Sequence, residues 1–432
     1  MKVRRCAVVF VEPREEVGFD LRELLNGGDG LRRDRRWVAL APHLGEEVDV
    51  DPDERELLGA VSPSQWVDAR ALAVHPPAAV QRLLTEGLLI GDGKRHAAHR
   101  ARDEALRATY WHPLAATLHA FTRWSGVDAV QNMKDSGTET AVRMREVLGA
   151  PPVEAARRVD APSQLKLPRI AATGFDHLLA RRATCRNFDP SRALPFELFA
   201  QLMQRVFAAQ AEVRISADTV FLKKNVPSGG GLHPIECYLI VQNVEGVTPG
   251  LYHYQAVEHA LEPLSLPLRA EALATDAPGA RNAVSPSDRE GLRRETDVFA
   301  KAAAPVAAPA LRQFIQDMVA QQHWFADAHV VAVLAPRFDR TFWKYRQHAK
   351  GYRVVALEAG HLSQTLYLAA TDAGLGAFIT GAINEKELEK AFGLDHVSQG
   401  ALAICGFGWR GEVMETTELD PAGVIWEAAE PC

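Results

Sequence analysis

The stretch that decides the fold is Pro227-Ser228-Gly229-Gly230-Gly231-Leu232-His233-Pro234, which runs straight into the apolar segment 235–242. Consecutive glycines let backbone N–H groups approach a ligand closely. The loop lacks the Gly-Lys-Ser/Thr of a Walker loop, and a strand follows it where the dinucleotide-binding fingerprint requires a helix. The residues alone leave two interpretations open, a ligand-binding loop and a simple turn into the strand 237–242.

Upstream of this loop, arginines cluster in Arg181-Arg182-Ala183-Thr184-Cys185-Arg186-Asn187-Phe188. Guanidinium groups bind phosphate in bidentate fashion, and the Thr184 hydroxyl adds a donor. The segment therefore suits an anionic ligand. A basic patch on a solvated helix end has the same composition, so this segment alone does not decide between the two interpretations.

Downstream, the segment Trp343-Lys344-Tyr345-Arg346 precedes a predicted helix over 353–370. Its apolar positions follow the helical repeat, at Val355, Ala359, Leu362, Leu366 and Ala369. This spacing predicts a buried helix, either in a core or at a subunit interface. Glycine turns after Asp372 then lead into an apolar strand that ends at Thr380 and Gly381. A last apolar strand follows over 401–407, with Arg410 just beyond it.

Taken in this order, and with Gly250-Leu251-Tyr252-His253-Tyr254 and Gly360-His361, these segments resemble the nitroreductase superfamily. More narrowly, they are similar to the SagB/McbC-type dehydrogenases that mature ribosomally made peptides. The resemblance covers about residues 175–412. It implies an α+β, nitroreductase-like fold with a central antiparallel sheet flanked by helices, in a homodimer with FMN at the dimer interface. Ala183 and Gly231 stand where simple nitroreductases carry larger polar residues, which favours the peptide-maturing branch.

The resemblance also assigns roles to individual residues. It implies that the FMN phosphate and ribityl chain are held by Arg182, Thr184 and Arg186, with Arg410 reaching the phosphate. It implies that the isoalloxazine ring or the ribityl tail is approached by Ser228, Gly229 and Gly231. The backbone of Thr380 and Gly381 should then lie near the reactive edge of the flavin.

The activity implied by the resemblance is FMN-dependent oxidation of a thiazoline or oxazoline ring in a peptide to the azole. A hydride goes to the flavin N5, and Lys344 and Tyr345 assist removal of the proton. A lysine base must be neutral when it acts. Taken alone, Lys344-Tyr345 is equally typical of a surface lysine beside a packing tyrosine. Two alternatives stay open, a reductase of dehydroamino acids in a peptide that uses NAD(P)H, and a flavin-stabilised scaffold of a peptide-modifying complex that docks a cyclodehydratase.

Residues 1–160 are predicted to form a separate N-terminal domain, joined by a proline-rich linker near 151–168 to an FMN domain over 170–412. Helices at 64–73 and 77–85, a strand at 88–90 and a turn at 91–93 outline a winged helix over about 54–95. DNA binding, a plain scaffold and peptide binding all fit that outline. The resemblance favours leader-peptide binding, by addition of a strand to a sheet edge.

Smaller features complete the prediction. A short strand is expected over 6–11, an inserted loop, acting as a lid or a neutral spacer, over 263–310, and an arm that packs on a partner subunit over 413–432. His96-x-x-His99 has the spacing of a metal-ligand pair, but no third ligand lies nearby in the sequence, so we expect no metal site.

Composition excludes several classes of protein. Lysine and arginine number 49 against 55 acidic residues, a net charge of −6, which argues against a nucleic-acid-coating protein. Apolar residues make up 47% of the chain, enough for a large core, but no run approaches the ~20 needed to span a bilayer. Five widely spaced cysteines without Cys-x-x-Cys indicate neither a disulfide framework nor a zinc site. The expected location is cytoplasmic, with no nucleic-acid or membrane partner, and the resemblance implies a precursor peptide as substrate.

Overall fold

The computed structural model describes residues 1–159, 163–264 and 308–412. The arm predicted over 413–432 lies outside the described residues, as does nearly all of the insertion predicted over 263–310. No helix in the described part of the chain combines the length and the apolar character needed to cross a membrane.

Residues 1–159 contain two small antiparallel sheets, with strand orders β5-β1-β6 and β2-β3-β4. The strands are β1 (Lys2–Arg5), β2 (Phe10–Phe19), β3 (Leu31–Leu40), β4 (Glu47–Asp49), β5 (Val67–Asp68) and β6 (Leu89–Gly91). The helices are α1 (Leu21–Leu25), α2 (Pro52–Ala60), α3 (Pro77–Glu86), α4 (Ala97–Ala108), α5 (Pro113–Phe121), α6 (Ala129–Asp135) and α7 (Ala141–Leu148). The strand predicted over 6–11 was misplaced, because β1 ends before it and β2 begins only at Phe10.

The winged-helix outline is partly correct in its elements. The helix predicted over 77–85 is confirmed as α3, and Gly87 ends it in the left-handed conformation, with φ +80°. The helix predicted over 64–73 is wrong. The Ser62 hydroxyl accepts hydrogen bonds from the next backbone N–H groups and holds a turn, after which Val67 pairs with Val3. The second helix of the unit is instead α2, which begins with a capping box between Asp51 and Glu54.

The C-terminal part is built on a six-stranded sheet in the order β11-β10-β9-β12-β14-β13, in which all neighbours are antiparallel. Its strands are β9 (Ile235–Val241), β10 (Gly250–Gln255), β11 (Ala260–Leu264), β12 (Val330–Pro336), β13 (Gly376–Thr380) and β14 (Ala403–Gly408). A separate hairpin joins β7 (Ala211–Arg214) and β8 (Val220–Lys223). The helices are α8 (Gly174–Arg181), α9 (Phe196–Val206), α10 (Ala308–Met318), α11 (Phe338–Lys344), α12 (Lys350–Asp372) and α13 (Glu385–Phe392).

Helices cover both faces of this sheet. On β9, Cys237 and Leu239 pack in one core with α9 and α12, whereas Tyr238 and Ile240 pack in a second core with α10 and α13. Successive side chains of a strand point to opposite faces, so a strand covered on both faces is apolar throughout. All seven residues of β12 are buried. The predicted central antiparallel sheet flanked by helices is confirmed.

The long helix α12 confirms the helix predicted over 353–370, and it extends that helix at both ends. All five apolar positions that define its predicted face are buried. This helix lies against the sheet and also contacts the glycine loop, so it forms the floor of the candidate site.

The N-terminal region packs directly on the C-terminal part through α11. The ring of Trp111 lies 4.5 Å from the Phe338 ring and 4.6 Å from the Phe342 ring, between centroids. Its indole N–H donates to the Val397 carbonyl at 2.8 Å. Gln347 donates its backbone N–H to the Tyr110 carbonyl at 2.9 Å. Helix α11, which ends at Lys344, is therefore held by residues from before the linker.

Candidate functional site

The glycine loop forms a single tight turn between β8 and β9. Gly230 and Gly231 have φ values of +67° and +68°, a region that favours glycine. A Cβ on Gly230 would lie 2.6 Å from Lys344 Nζ and 2.8 Å from the Tyr345 hydroxyl oxygen. A side chain at position 230 would therefore displace the ends of the Lys344 and Tyr345 side chains, and the positive φ favours glycine there.

Lys344 and Tyr345 stand at the end of α11. The Lys344 ammonium lies 5.7 Å from the centroid of the Tyr345 ring. Lys344 is exposed and Tyr345 is half-buried in the single chain. Two segments that are more than 100 residues apart in the sequence therefore meet at Gly230, and both were singled out as candidate site residues.

Helix α12 anchors the loop from below. The Ser228 hydroxyl donates to the Glu358 carboxylate, and it accepts the His233 backbone N–H at 2.9 Å. His361 Nδ1 donates to the Pro227 carbonyl at 3.0 Å. Glu358 is 2% exposed, and its burial raises the pKa of the carboxyl group above its usual range. The Ser228 side chain therefore points inward to Glu358, which leaves its backbone and the glycines to face a ligand.

The arginine segment lies at the β13 edge of the sheet. Thr184 bridges Ala377 in parallel fashion, and Phe188 bridges Arg410. The Arg182 guanidinium lies 5.3 Å from the centroid of the Tyr367 ring. The Thr184 hydroxyl is 3.1 Å from the Tyr367 hydroxyl, which also accepts the Ile379 backbone N–H at 3.2 Å. Arg182, Thr184 and Arg410 therefore lie at the same edge of the sheet. Arg186 belongs to the same segment, midway in sequence between Thr184 and Phe188.

Thr380 and Gly381 end β13 on the same edge. The Thr380 hydroxyl accepts from the Ala382 backbone N–H at 3.1 Å and from Gln322 Nε2 at 3.1 Å. Thr380 is buried, whereas Gly381 is exposed and has open space around its Cα. The side chain of Thr380 therefore stabilises the turn, and the backbone of Gly381 is what a ligand can approach.

The two groups of predicted site residues contact α12 at different points along its axis. Glu358 contacts the glycine loop through Ser228, and Tyr367 contacts the arginine segment through Arg182 and Thr184. Nine residues of α-helix separate them, or about 14 Å at 1.5 Å per residue. The structure therefore brings Lys344 and Tyr345 to the glycine loop, and Arg182 and Thr184 to β13, as two clusters along one helix.

Sequence reasoning missed Glu358 and Tyr367. The apolar repeat of α12 contains the signal for Glu358, which lies three residues after Val355 and four before Leu362 and so falls within the buried stripe. A carboxylate there must be hydrogen-bonded or paired. No comparable signal exists for Tyr367, because an aromatic residue in a buried stripe is ordinary. Among the described residues, no group of three or more His, Cys, Asp or Glu side chains is placed to hold a metal ion.

Comparison with known proteins adds independent information. The model of the Nitroreductase family matches residues 179–409. The chain is 27% identical over 227 residues to a protein of Methanocaldococcus jannaschii that is provisionally named a nitroreductase, MJ1384, with 52% of this chain and 88% of that protein covered.

Two further relatives are named for peptide processing. The chain is 24% identical to the trifolitoxin-processing protein TfxB of Rhizobium leguminosarum bv. trifolii, with 49% of this chain and 46% of TfxB covered. It is 23% identical to the microcin B17-processing protein McbC of Escherichia coli, with 51% of this chain and 65% of McbC covered. The chain thus spans less than two thirds of either peptide-processing protein.

Proposed function

Because this chain belongs to the nitroreductase family, we propose that it is an FMN-dependent oxidoreductase whose substrate is a ring in a ribosomally made peptide. The reaction we propose is oxidation of a thiazoline or oxazoline to the azole, with loss of one hydride and one proton from the ring. When bound, FMN supplies the acceptor for the hydride. The peptide-processing names of TfxB and McbC support a peptide as the substrate.

The residues of both clusters fit FMN. Arginines with a threonine hydroxyl suit a phosphate and a polyol chain, so Arg182, Thr184, Arg186 and Arg410 would hold that end. The ring end would meet Ser228, Gly229 and Gly231, and the backbone of Thr380 and Gly381. The fit rests on the cradle at Gly230, where an added Cβ would fill the space beside Lys344 and Tyr345.

The observation that carries the proposal is the meeting of Lys344 Nζ and the Tyr345 hydroxyl at Gly230. A neutral Lys344 amine has a lone pair that can take the proton leaving the azoline ring. The Tyr345 hydroxyl can orient that amine or the substrate by hydrogen bonding. An acid–base pair that borders the glycine loop is what oxidation of a peptide ring requires from the protein, since the cofactor provides the redox chemistry.

The decisive experiment is anaerobic mixing of the FMN-loaded full chain with candidate reactants, followed by flavin absorbance. Bleaching by an azoline peptide alone supports the proposal. Bleaching by NAD(P)H with recovery on addition of a dehydroamino-acid peptide would instead identify a reductase. If no reactant bleaches the flavin, the chain acts as a flavin-stabilised scaffold.

The role of Lys344 is tested separately. Lys344→Ala should keep FMN but lose about 10²- to 10⁴-fold in the rate of azoline oxidation, the usual contribution of a general base. Lys350→Ala is the matched control, because Lys350 is an exposed lysine only six residues away. Equal turnover in Lys344→Ala and wild type would rule out the catalytic role.

We further propose that the first 160 residues form a domain that binds the leader segment of the precursor. Strand β2 is an edge of its sheet and pairs only with β3 among the described strands, which leaves the other side of this ten-residue strand open to an added strand. Titration of a leader peptide against the full chain tests this, and absence of binding would favour a plain scaffold. A homodimer and a cyclodehydratase partner are the assembly we propose, to be checked by analytical ultracentrifugation of the chain alone and of mixtures.

A further inference from the structure

A cavity of about 280 Å³ lies next to His233 at the end of the glycine loop, between the β7–β8 hairpin and strands β9 and β10. Its wall is apolar where Phe207, Leu222 and Tyr254 line it. Two basic groups, Lys224 and His233, line it as well. The side chains of Lys224 and His233 have no part in the FMN site or in the proton transfer proposed above, so their presence in this cavity needs its own explanation.

Lys224 is a buried lysine in the lining of this cavity. It is 5% exposed, and in the described part of the chain its ammonium makes no hydrogen bond and has no carboxylate oxygen within 4.0 Å. Burial lowers the pKa of this lysine. Removing an ammonium group from water without an ion-pair partner is unfavourable, and a bound anion would offset that cost. Its neighbour Lys223, by contrast, is exposed.

His233 adds a ring nitrogen without a hydrogen-bond partner among the described residues of this cavity. It is 8% exposed, and Nδ1 has no hydrogen-bond partner among the residues that the structure describes. The nearest carboxylate oxygen, Glu358 Oε1, is 4.0 Å from Nδ1, beyond hydrogen-bond distance. Burial, helped by the charges of Lys224 and Arg340, lowers the pKa of His233 to about 4. At neutral pH the ring is therefore neutral and offers one N–H.

The other charges around the cavity are largely balanced. Arg337 is paired with Asp339 at 3.0 Å and with Glu236 at 3.5 Å. Glu236 also accepts from His253 at 3.0 Å. Arg340 donates only to backbone carbonyls, and no described carboxylate lies within 4.0 Å of it. Among the described charged residues that line the cavity, Lys224, Arg340 and Glu212 have no ion-pair partner, so the unpaired positive charges outnumber the unpaired negative one.

We propose that this cavity binds a carboxylate of the peptide substrate, with Lys224 as its main ion-pair partner and Arg340 at the rim. Arg337 and Arg340 also line an adjoining cavity of about 400 Å³ that reaches Trp343, the residue before Lys344. A carboxylate bound at Lys224 would thus hold the peptide next to the adjoining cavity, whose lining ends at Trp343 beside the Lys344-Tyr345 pair. The proposal rests on the peptide-oxidising function proposed above.

A carboxylate fits this site better than a phosphate. The cavity is also lined by Glu212 and Glu236, whose negative charge repels a dianion more strongly than a monoanion. The apolar wall suits the carbon chain that carries a carboxylate in a peptide. Two parts of a peptide supply this group, an acidic side chain and the C-terminal carboxylate.

The test measures binding rather than turnover, by calorimetric titration of the FMN-loaded full chain. The probes are N-acetylglutamate α-methylamide for a side-chain carboxylate and N-acetylleucine for a C-terminal one. N-acetylglutamine methylamide is the neutral twin of the first probe, and inorganic phosphate is the competing anion. Lys224→Met removes the charge at similar length, and Lys223→Met is the matched control.

At least one carboxylate probe should bind, and Lys224→Met should weaken that binding about tenfold or more, as loss of one partner of a buried charge pair does. Lys223→Met should bind like wild type, and the neutral twin should not bind. Arg340→Gln should also weaken binding of the same probe, and it tests the rim of the cavity at a half-buried position. The proposal is overturned if neither carboxylate probe binds, if phosphate binds more tightly, or if Arg340→Gln binds like wild type. Because no turnover is measured, such a failure leaves the flavin-bleaching test of the proposed function unaffected.

Discussion

Trp111 offers a direct test of how the two parts of the chain depend on each other. Its side chain is 5% exposed and packs on Phe338 and Phe342 of α11. Trp111→Ala should lower the free energy of unfolding by about 3–5 kcal/mol, the usual cost of truncating a buried aromatic residue. Of this, each lost ring pair accounts for about 0.5–1.5 kcal/mol.

Trp111→Phe separates packing from hydrogen bonding. Phenylalanine retains most of the ring contact but leaves the Val397 carbonyl without its indole donor, which should cost about 1–3 kcal/mol. Trp124→Ala is the control, because that indole is 38% exposed and its removal should cost clearly less than the removal of Trp111.

Urea denaturation measures stability, and amide hydrogen exchange over residues 338–347 shows where it is lost. Exchange over α11 should accelerate in Trp111→Ala and remain as in wild type in Trp124→Ala. If Trp111→Ala lowered stability without faster exchange in α11, Trp111 would not be what holds the helix that carries Lys344. Unchanged stability would refute the packing argument altogether.

Three further perturbations follow from the site and its surroundings. Arg182→Ala should purify without FMN while Arg181→Ala, which removes an exposed neighbour, stays yellow; a fully yellow Arg182→Ala protein would refute the phosphate assignment. Gly230→Ala should lower stability by about 1–2 kcal/mol, the cost of a left-handed conformation in a residue other than glycine. It should also lower FMN occupancy, because its Cβ would press on Lys344 and Tyr345. Gly360→Ala is the control and should be tolerated, because a Cβ there meets open space. Burial lowers the pKa of His43 to about 4, so its neutral form is favoured in the fold and its contribution to stability is lost as the pH falls from 6.5 towards 4. The stability of wild type relative to His43→Gln should fall by on the order of 3 kcal/mol over that window, and pH-independent parallel curves would show that His43 is not the titrating group.

The sheet and its main helix could be predicted because their signals are local. Apolar runs such as 330–336 and the helical repeat of α12 are visible within one window of sequence. The order of the short motifs then led to the family, which the match over residues 179–409 shows. Functional roles for the individual site residues stay predictions.

What could not be predicted depends on contacts between distant segments. Trp111 meets Phe338 across more than 200 residues, and no pattern near either residue indicates the pairing. The incorrect prediction of a helix at 64–73 has the same cause. Val67 forms a strand because it pairs with Val3, which is far from it in the sequence. Lys224 gave no signal either, since a lysine beside a second lysine is typical of a surface strand.

The packing of Trp111 on α11 also limits how modular this protein can be. The proline-rich linker suggests a boundary at which the N-terminal region could be replaced by that of a relative. The core around Phe338 and Phe342, however, contains residues from both sides of this boundary. In a chimera joined at residue 160, the two parts would therefore meet through surfaces that do not match. Exchanges that preserve activity should therefore carry residues 105–120 along with the catalytic half, and should also match the contacts that Val8 and Pro42 make with it.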